Sequence, residues 1–512
     1  MEPILELSVT LPPRGSRERL RALHRQLRAA IVGGRLRPGL RLPPTRTLAA
    51  AYGVARNTVV ATYDLLLSEG YLATRRGAGT YVADALPQAP ARKPARSEAL
   101  ADRRLNHFWL EAAAGRDTAS RTPPRYDFSV GVPDQALFPS DVWRRLSARA
   151  LRALSKSPAA YAEAQGRSAL REAIAKHVSF TRAVACRADD VVVTAGAQQA
   201  FDLLARVLVT ARRTVVAVEN PGYPPMRAAF AAAGARLAAV PVDEEGLVVA
   251  HIPPQAHVIC VTPSHQFPLG MVMSARRRAA LLEFAQARGA VVIEDDYDSE
   301  FRFGGRPLDA LQTLDRAESV FYVGTFSKSL FPAIRLGFVV APPWALRALV
   351  AAKRYADWHC PVVAQDTLAA FITEGHLARH VRKVRSVYGE RRQLLLDGLQ
   401  RDFSRWLQPI PAAAGLHLAA TGAAGLDAIV ERARQAGAGV DSLRPYYLGK
   451  PTQRGLVFGY GAIDGDAIVE GLSELRRLFS RSPSRTGAGT HPDPSARQKR
   501  DPSGHRRDAR RD

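Results

Sequence analysis

The sequence predicts an α/β chain of two unlike parts, a small helical unit closed by a hairpin and a large unit built on a parallel sheet. Three observations carry that expectation. At 512 residues the chain exceeds what one ordinary core supports, so two or three compact units are expected. Between residues 17 and 83 apolar residues recur at helical spacing, then give way to two short β-type runs around glycines. From Tyr126 to about Ser480 short Val/Ile-rich runs alternate with longer helical stretches, the pattern of strands joined by crossover helices.

Composition narrows the function classes. With 46% hydrophobic and 23% charged residues the chain reads as a soluble globular protein able to bury a large core. No stretch reads as a membrane span, and the opening MEPILELSVTLPPRGS lacks a basic region followed by an apolar run, so a cytoplasmic location is expected. The cysteines Cys186, Cys260 and Cys360 lie far apart, with neither metal-type spacing nor a disulfide framework, so core thiols and no metal centre are expected. A net charge of +24 attracts polyanions such as nucleic acid. Much of that excess sits in residues 481–512, whose Arg, Pro, Ser and Gly content predicts a disordered basic tail. Residues 84–124, rich in Pro, Ala and Arg, read as a linker, which leaves 125–480 for the large domain.

In the small unit Leu20, Leu23, Leu27 and Ile31 share one helical face, and Gly33 and Gly34 supply the stop. A second short helix begins in the segment Leu42, Pro43, Pro44, Thr45 and runs to Tyr52, where Gly53 breaks it. A third starts near Ala55, with Val59, Tyr63, Leu66 and Leu67 as its buried stripe. Arg56, Asn57 and Thr58 are thereby left at its exposed N-terminal end, the positions a recognition helix offers to base edges and phosphates. The runs Tyr71 to Thr74 and Thr80 to Val82 flank a glycine-bearing tip, Arg75 to Gly79, whose two positive charges suit a minor groove or a phosphate backbone. Through GRLRPGLRLPPTRTLAAAYGVARNTVVATYDLLLSEGYLATRRGAGTYV this segment resembles the winged helix-turn-helix of the GntR family of regulators. The resemblance implies contacts to double-stranded DNA from Arg46 on the second helix, Arg56, Asn57 and Thr58 on the third, and Arg76 with Gly77 on the wing. Ala55 stands where many relatives carry serine, which removes one phosphate hydrogen bond.

In the large unit the strand candidates are Val191–Thr194, Val215–Val218, Val258–Thr262, Val291–Ile293 and Val320–Val323. Open α/β sheets bind ligands beyond the carboxyl ends of their strands, so the residues that follow these runs are the ones to inspect. After Val320–Val323 come Gly324, Thr325, Phe326, Ser327 and Lys328, with Arg335 shortly after in SKSLFPAIRLG. A lysine beside hydroxyls and near an arginine can bind an aldehyde and a phosphate together, although a lone lysine after a strand is commonly a solvated side chain. After Val291–Ile293 come Glu294, Asp295, Asp296 and Tyr297, a carboxylate for a pyridine nitrogen and a phenol for a ring oxygen; acidic strand ends also serve as helix caps or metal ligands. The run Val191–Thr194 leads into Ala195, Gly196, Ala197 and Gln198 and then a helical pattern over Gln199–Val209, a turn and helix N-terminus suited to an anion. Tyr223, after Glu219, Asn220, Pro221 and Gly222, can cover an aromatic ring.

In order and spacing these pieces resemble the aminotransferase-like fold of type I enzymes that use pyridoxal 5'-phosphate (PLP). Joined to the winged helix, they resemble the MocR subfamily of GntR regulators. The resemblance implies that Lys328 carries PLP as a Schiff base, that Asp295 meets the pyridine nitrogen, Tyr297 the ring oxygen and Tyr223 the ring face. It also implies a phosphate cup of Arg335, Thr325, Ser327, Gly196, Ala197 and Gln198. Tyr161, in YAEAQGRSALREAIA, matches the tyrosine that such dimers send to the neighbour's phosphate, which implies a homodimer. Two departures bear on activity. Thr262 to Gly270 replaces an Asn-Pro-Thr-Gly turn, within which His265 is equally a core hydrogen-bonding residue or a ligand. In the run Arg454 to Tyr460, Val457 stands at the position of the substrate-carboxylate arginine, with Arg454 close in sequence. The function expected is a PLP-binding, DNA-binding transcriptional regulator that senses PLP or its amino-acid or amine adduct. The alternative is a working aminotransferase localised by its small domain.

Overall fold

The computed structural model describes residues 7, 9–13, 16, 18–75, 79–84, 106–114, 124–158, 160–304, 308–422 and 425–480. Arg76, Gly77, the tail 481–512 and most of the expected linker lie outside these residues. Within 84–124 a helix covers His107–Ala114, in a stretch whose weak periodicity suggests none. The chain divides into two compact units, Met1–His107 and Phe108–Asp512.

In the first unit the helices are Arg19–Val32, Thr45–Tyr52 and Arg56–Ser68, followed by a hairpin that pairs Leu72–Arg75 with Gly79–Val82. The second helix starts at Thr45, one residue after Pro44, and not within the Leu42–Pro44 stretch. The reason is local: Leu42 N–H donates to Thr80 at 2.8 Å and Arg41 bridges Tyr81, so these residues run extended along the hairpin. Leu23, Leu27, Ile31, Leu48, Val59, Tyr63 and Leu66 meet in one core. Leu67 is only half-buried; Thr62 takes the inward place and donates its hydroxyl to the Thr58 carbonyl at 2.7 Å. Gly53 ends the second helix at φ 58°, ψ 40°, a conformation that costs glycine little.

The second unit carries an eight-stranded sheet in the order Val191–Thr194, Gly337–Val340, Val320–Thr325, Val291–Asp296, Val258–Val261, Val215–Asn220, Arg236–Asp243, Gly246–Leu247. The five expected strands are present, and four of these are parallel neighbours. Gly337–Val340 is antiparallel to both its partners, against the expectation of a purely parallel sheet. Only a single 3-10 turn, Pro332–Ile334, separates it from Thr325, too little chain for the crossover that a parallel return requires. Three strands also run past their apolar stretch, to Asn220, Asp296 and Thr325, so the polar residues expected to follow them stand on the strand ends themselves. Buried Glu294 is tolerated there because it accepts N–H bonds from Leu311 at 2.8 Å and Gln312 at 3.0 Å.

Helices cover both faces of this sheet. Phe201 and Leu204 of Ala197–Leu208 pack with Phe230, Ile293 and Val323 on one side. A smaller antiparallel sheet follows, Leu407–Pro409, His417–Gly422, Gly455–Gly459 and Asp441–Ser442, with the helices His376–Phe403 and Gly465–Ser480 packed against it. Cys260 and Cys360 are buried and Cys186 is half-buried, all three free. Among the described residues no helix is long and apolar enough to cross a membrane.

Candidate functional site

Where the strands Val291–Asp296 and Val320–Thr325 end side by side, with Asp295 in register with Val323, a cavity of about 380 Å³ opens. Lys328, Asp295, Tyr297 and Tyr223 all line it. So do Thr325, Ser327, Arg335, Ala197 and Gln198. Residues separated by well over a hundred positions in sequence are thus gathered around one space.

Lys328 follows its strand after two residues, Phe326 and Ser327, and its Nζ donates to the Gly131 carbonyl at 2.6 Å. Gly131 sits at φ +72°, and a Cβ built there would lie 2.8 Å from the amine, so only glycine leaves the lysine this room. Burial lowers the pKa of Lys328, opposed by the charges of Asp298 and Asp295. The effect is an amine more readily neutral, and therefore nucleophilic, than a solvated lysine.

Asp295 is 4% exposed and its Oδ1 has no hydrogen-bond partner among the described residues. Burial, then the neighbouring Asp296, Asp298 and Glu219, push its carboxyl well above the usual range. Native buried oxygens are rarely left without a donor. A protonated aromatic nitrogen supplies the missing one and brings a compensating charge, so this carboxyl fits the pyridine ring of PLP.

The anion-binding corner is built on the turn after Val191–Thr194. Gly196 precedes the helix Ala197–Leu208 at φ +79°, with no side-chain cap, and a Cβ there would come within 3.0 Å of the Arg335 guanidinium. Arg335 donates to the Ala195 carbonyl at 2.7 Å, which holds it against that open helix end. The hydroxyls of Thr325 and Ser327 stand 3.1 Å apart beside it. Uncapped N–H groups, a guanidinium and two hydroxyls form a donor set that fits a phosphate. Gln198 lines the same corner but also donates to the Pro225 carbonyl at 3.2 Å.

Tyr223 heads the helix Pro224–Ala232 and meets Phe267 edge-on, 5.2 Å between centroids. Tyr297 donates its hydroxyl to the His265 carbonyl at 3.0 Å. His265 is buried and its Nδ1 lies 3.0 Å from Asp298, while its Nε2 meets no hydrogen-bond partner among the described residues. The altered turn has a role of its own. Thr262 donates to Glu219 through its N–H at 3.2 Å and its hydroxyl at 2.5 Å, and Gln266 donates at 3.3 Å. Burial nevertheless pushes Glu219 up to about 7.

Tyr161 is not among the residues that line this cavity; it is 75% exposed and stacks on Trp358 at 4.4 Å. Val457 is fully buried with Phe267, Leu443 and Tyr447, while Arg454 lines a different cavity near Asp427 and Lys450. Sequence reasoning missed Gly131, Asp441 and Tyr446, which the fold brings to the cavity from segments without periodic or motif signal.

In the first unit Arg46, Arg56 and Asn57 are exposed and Thr58 is half-buried. No side chain caps the helix that begins at Arg56, since its preceding residue is Ala55. Arg75, in contrast, is held on the hairpin by Asp84 at 3.3 Å and lies 4.7 Å over the Tyr81 ring.

Residues 125–426 match the family Aminotransferase class I and II, and residues 20–82 match the family Bacterial regulatory proteins, gntR family. The probable rhizopine catabolism regulatory protein MocR of Rhizobium meliloti is 37% identical over 90% of this chain and 93% of its own length. The pyridoxine biosynthesis transcriptional regulator PdxR of Corynebacterium glutamicum is 33% identical over 93% of this chain and 99% of its own. Among solved structures, the α-aminoadipate aminotransferase LysN of Thermus thermophilus, complexed with N-(5'-phosphopyridoxyl)-L-leucine, matches 73% of this chain and 98% of its own with a TM-score of 0.65 and 30% identity. With both halves matched in order and a regulator aligned along nearly its whole length, the chain belongs to the MocR-type regulators of the gntR family, a DNA-binding unit joined to an aminotransferase-fold domain.

Proposed function

We propose that this regulator takes up PLP on Lys328 and, through it, a small amine, and that this occupancy sets how the N-terminal unit holds its operator. The observation that carries the reading is the unpartnered, buried Asp295 oxygen beside a depressed lysine. A carboxyl so placed is a destabilising feature unless a cationic ring nitrogen answers it. Bound PLP supplies an aldehyde that condenses with primary amines, together with a dianionic phosphate. Lys328 offers the amine, Arg335 with Thr325 and Ser327 the phosphate cup, and Tyr223 the ring platform. The Tyr297 hydroxyl rotates about its C–O bond and can give its proton to the ring oxygen instead of the His265 carbonyl.

In this reading the chain works as a cytoplasmic homodimer, with Tyr161 reaching the phosphate of the partner subunit; its exposure and its absence from its own cavity support that. Arg46, Arg56, Asn57 and Thr58, with Arg76 and Gly77 of the wing, contact DNA. Steady transamination of ordinary amino acids is not its task. Bidentate recognition of a carboxylate needs a guanidinium, and buried Val457 occupies that position.

The purified chain titrated with PLP is expected to develop a visible absorbance band, and Lys328→Ala to lack it. An unchanged band in the variant removes Lys328 from the reading. Sustained turnover of an amino acid with a keto acid removes the regulatory role of the pocket.

A further inference from the structure

Four charged side chains line the cavity among the described residues: Lys328, Arg335, Asp295 and Asp441. The proposed cofactor uses the first three, and Asp441 is left over. It stands on the short strand Asp441–Ser442 directly opposite Val457, the position to which the family resemblance assigns the substrate-carboxylate arginine. Tyr446 donates its hydroxyl to Asp441 at 3.2 Å and lines the same wall. Surrounding protein raises the carboxyl above its ordinary range, the Tyr446 hydrogen bond opposing and Asp127 adding to the effect, while one face of the residue stays open to solvent.

The chemistry of that corner is the reverse of an amino-acid site. At Asp441 a ligand carboxylate would meet a like charge, whereas an ammonium would meet an acid and a tyrosine oxygen. Phe267, edge-on to Tyr223, adds an apolar wall to the cavity, suited to a methylene chain.

Resting on the PLP reading above, we propose that the effector is a primary amine with a second cationic end and no carboxylate, a diamine or aminoguanidine type, whose distal cation is anchored by Asp441. Asp441 is thus the residue that sets effector class, and Val457 removes the competing class.

The test is calorimetric titration of the PLP-loaded full chain with three five-carbon probes: 1,5-diaminopentane, 5-aminopentanoate and pentylamine. The diamine is expected to bind most tightly. Asp441→Asn should weaken it by about 10- to 100-fold, as loss of a charge-assisted bond does, while pentylamine is unaffected. Equal or tighter binding of 5-aminopentanoate by the unaltered chain overturns the inference, and so does unchanged diamine affinity in the variant. The three-probe ranking decides the matter should the variant fail to fold. The visible band separates the two readings: a chain that loads PLP yet ignores diamines refutes only the effector class, and one that takes up no PLP refutes both.

Discussion

Asp295→Asn separates the cost of the empty pocket from the gain of the filled one. In the cofactor-free chain the buried carboxyl has no donor on Oδ1 among the described residues, and burial holds its pKa well above the usual range. An acid raised in this way favours the folded state fully at pH values below the unfolded value of about 3.9, and that contribution is lost as pH rises through the folded value. At neutral pH the wild-type fold therefore carries a penalty that asparagine, which cannot ionise, does not. The variant without PLP should be as stable as the wild type or more so. With PLP the order reverses. Loss of a hydrogen bond to a charged group costs about 1.5–3 kcal/mol, which weakens PLP binding by roughly 10- to 150-fold. At a PLP concentration of about 100 times the wild-type Kd, linkage stabilises the wild type by about 2.7 kcal/mol; a variant bound about 100-fold more weakly gains only about 0.4 kcal/mol. Denaturant unfolding with and without PLP, beside an absorbance titration, measures both arms. An unchanged PLP affinity, or a cofactor-free variant clearly less stable than the wild type, would refute the pairing of Asp295 with the ring nitrogen.

Three further outcomes are expected. Arg56→Ala should weaken operator binding by about 1–3 kcal/mol in a gel-shift or anisotropy assay if the guanidinium reads a base edge, and equal binding takes it out of the interface. Gly196→Ala places a Cβ 3.0 Å from the Arg335 guanidinium at φ +79°, so PLP phosphate affinity should fall and the fold should lose about 1–3 kcal/mol; a variant with wild-type melting and uptake disproves the cup's geometry. Because burial lowers the Lys328 pKa, the rate of PLP uptake should climb with pH and level off below the ordinary lysine value of about 10.4; a plateau only above it contradicts a buried amine.

The pieces legible in the sequence were those whose chemistry is local. Lys328, Asp295 and Gly196 each stand within five residues of the end of an apolar run, and pattern alone places them at the carboxyl edge of a sheet. The three helices of the first unit were legible for the same reason, since Leu23, Leu27, Ile31, Val59 and Tyr63 repeat at helical spacing. Strand direction was not: Gly337–Val340 is as apolar as the parallel strands of the sheet, and the shortness of the return from Thr325 makes it antiparallel.

The sequence by itself determined which chemical groups are available and that they lie at strand ends, because burial and periodicity are written into neighbouring residues. Tertiary structure alone decided what surrounds them. Gly131 meets Lys328 across 197 positions, and Asp441 reaches the pocket on a two-residue strand with no pattern of its own. Such contacts are set by how separate layers pack, a property of the whole folded chain and not of any stretch along it.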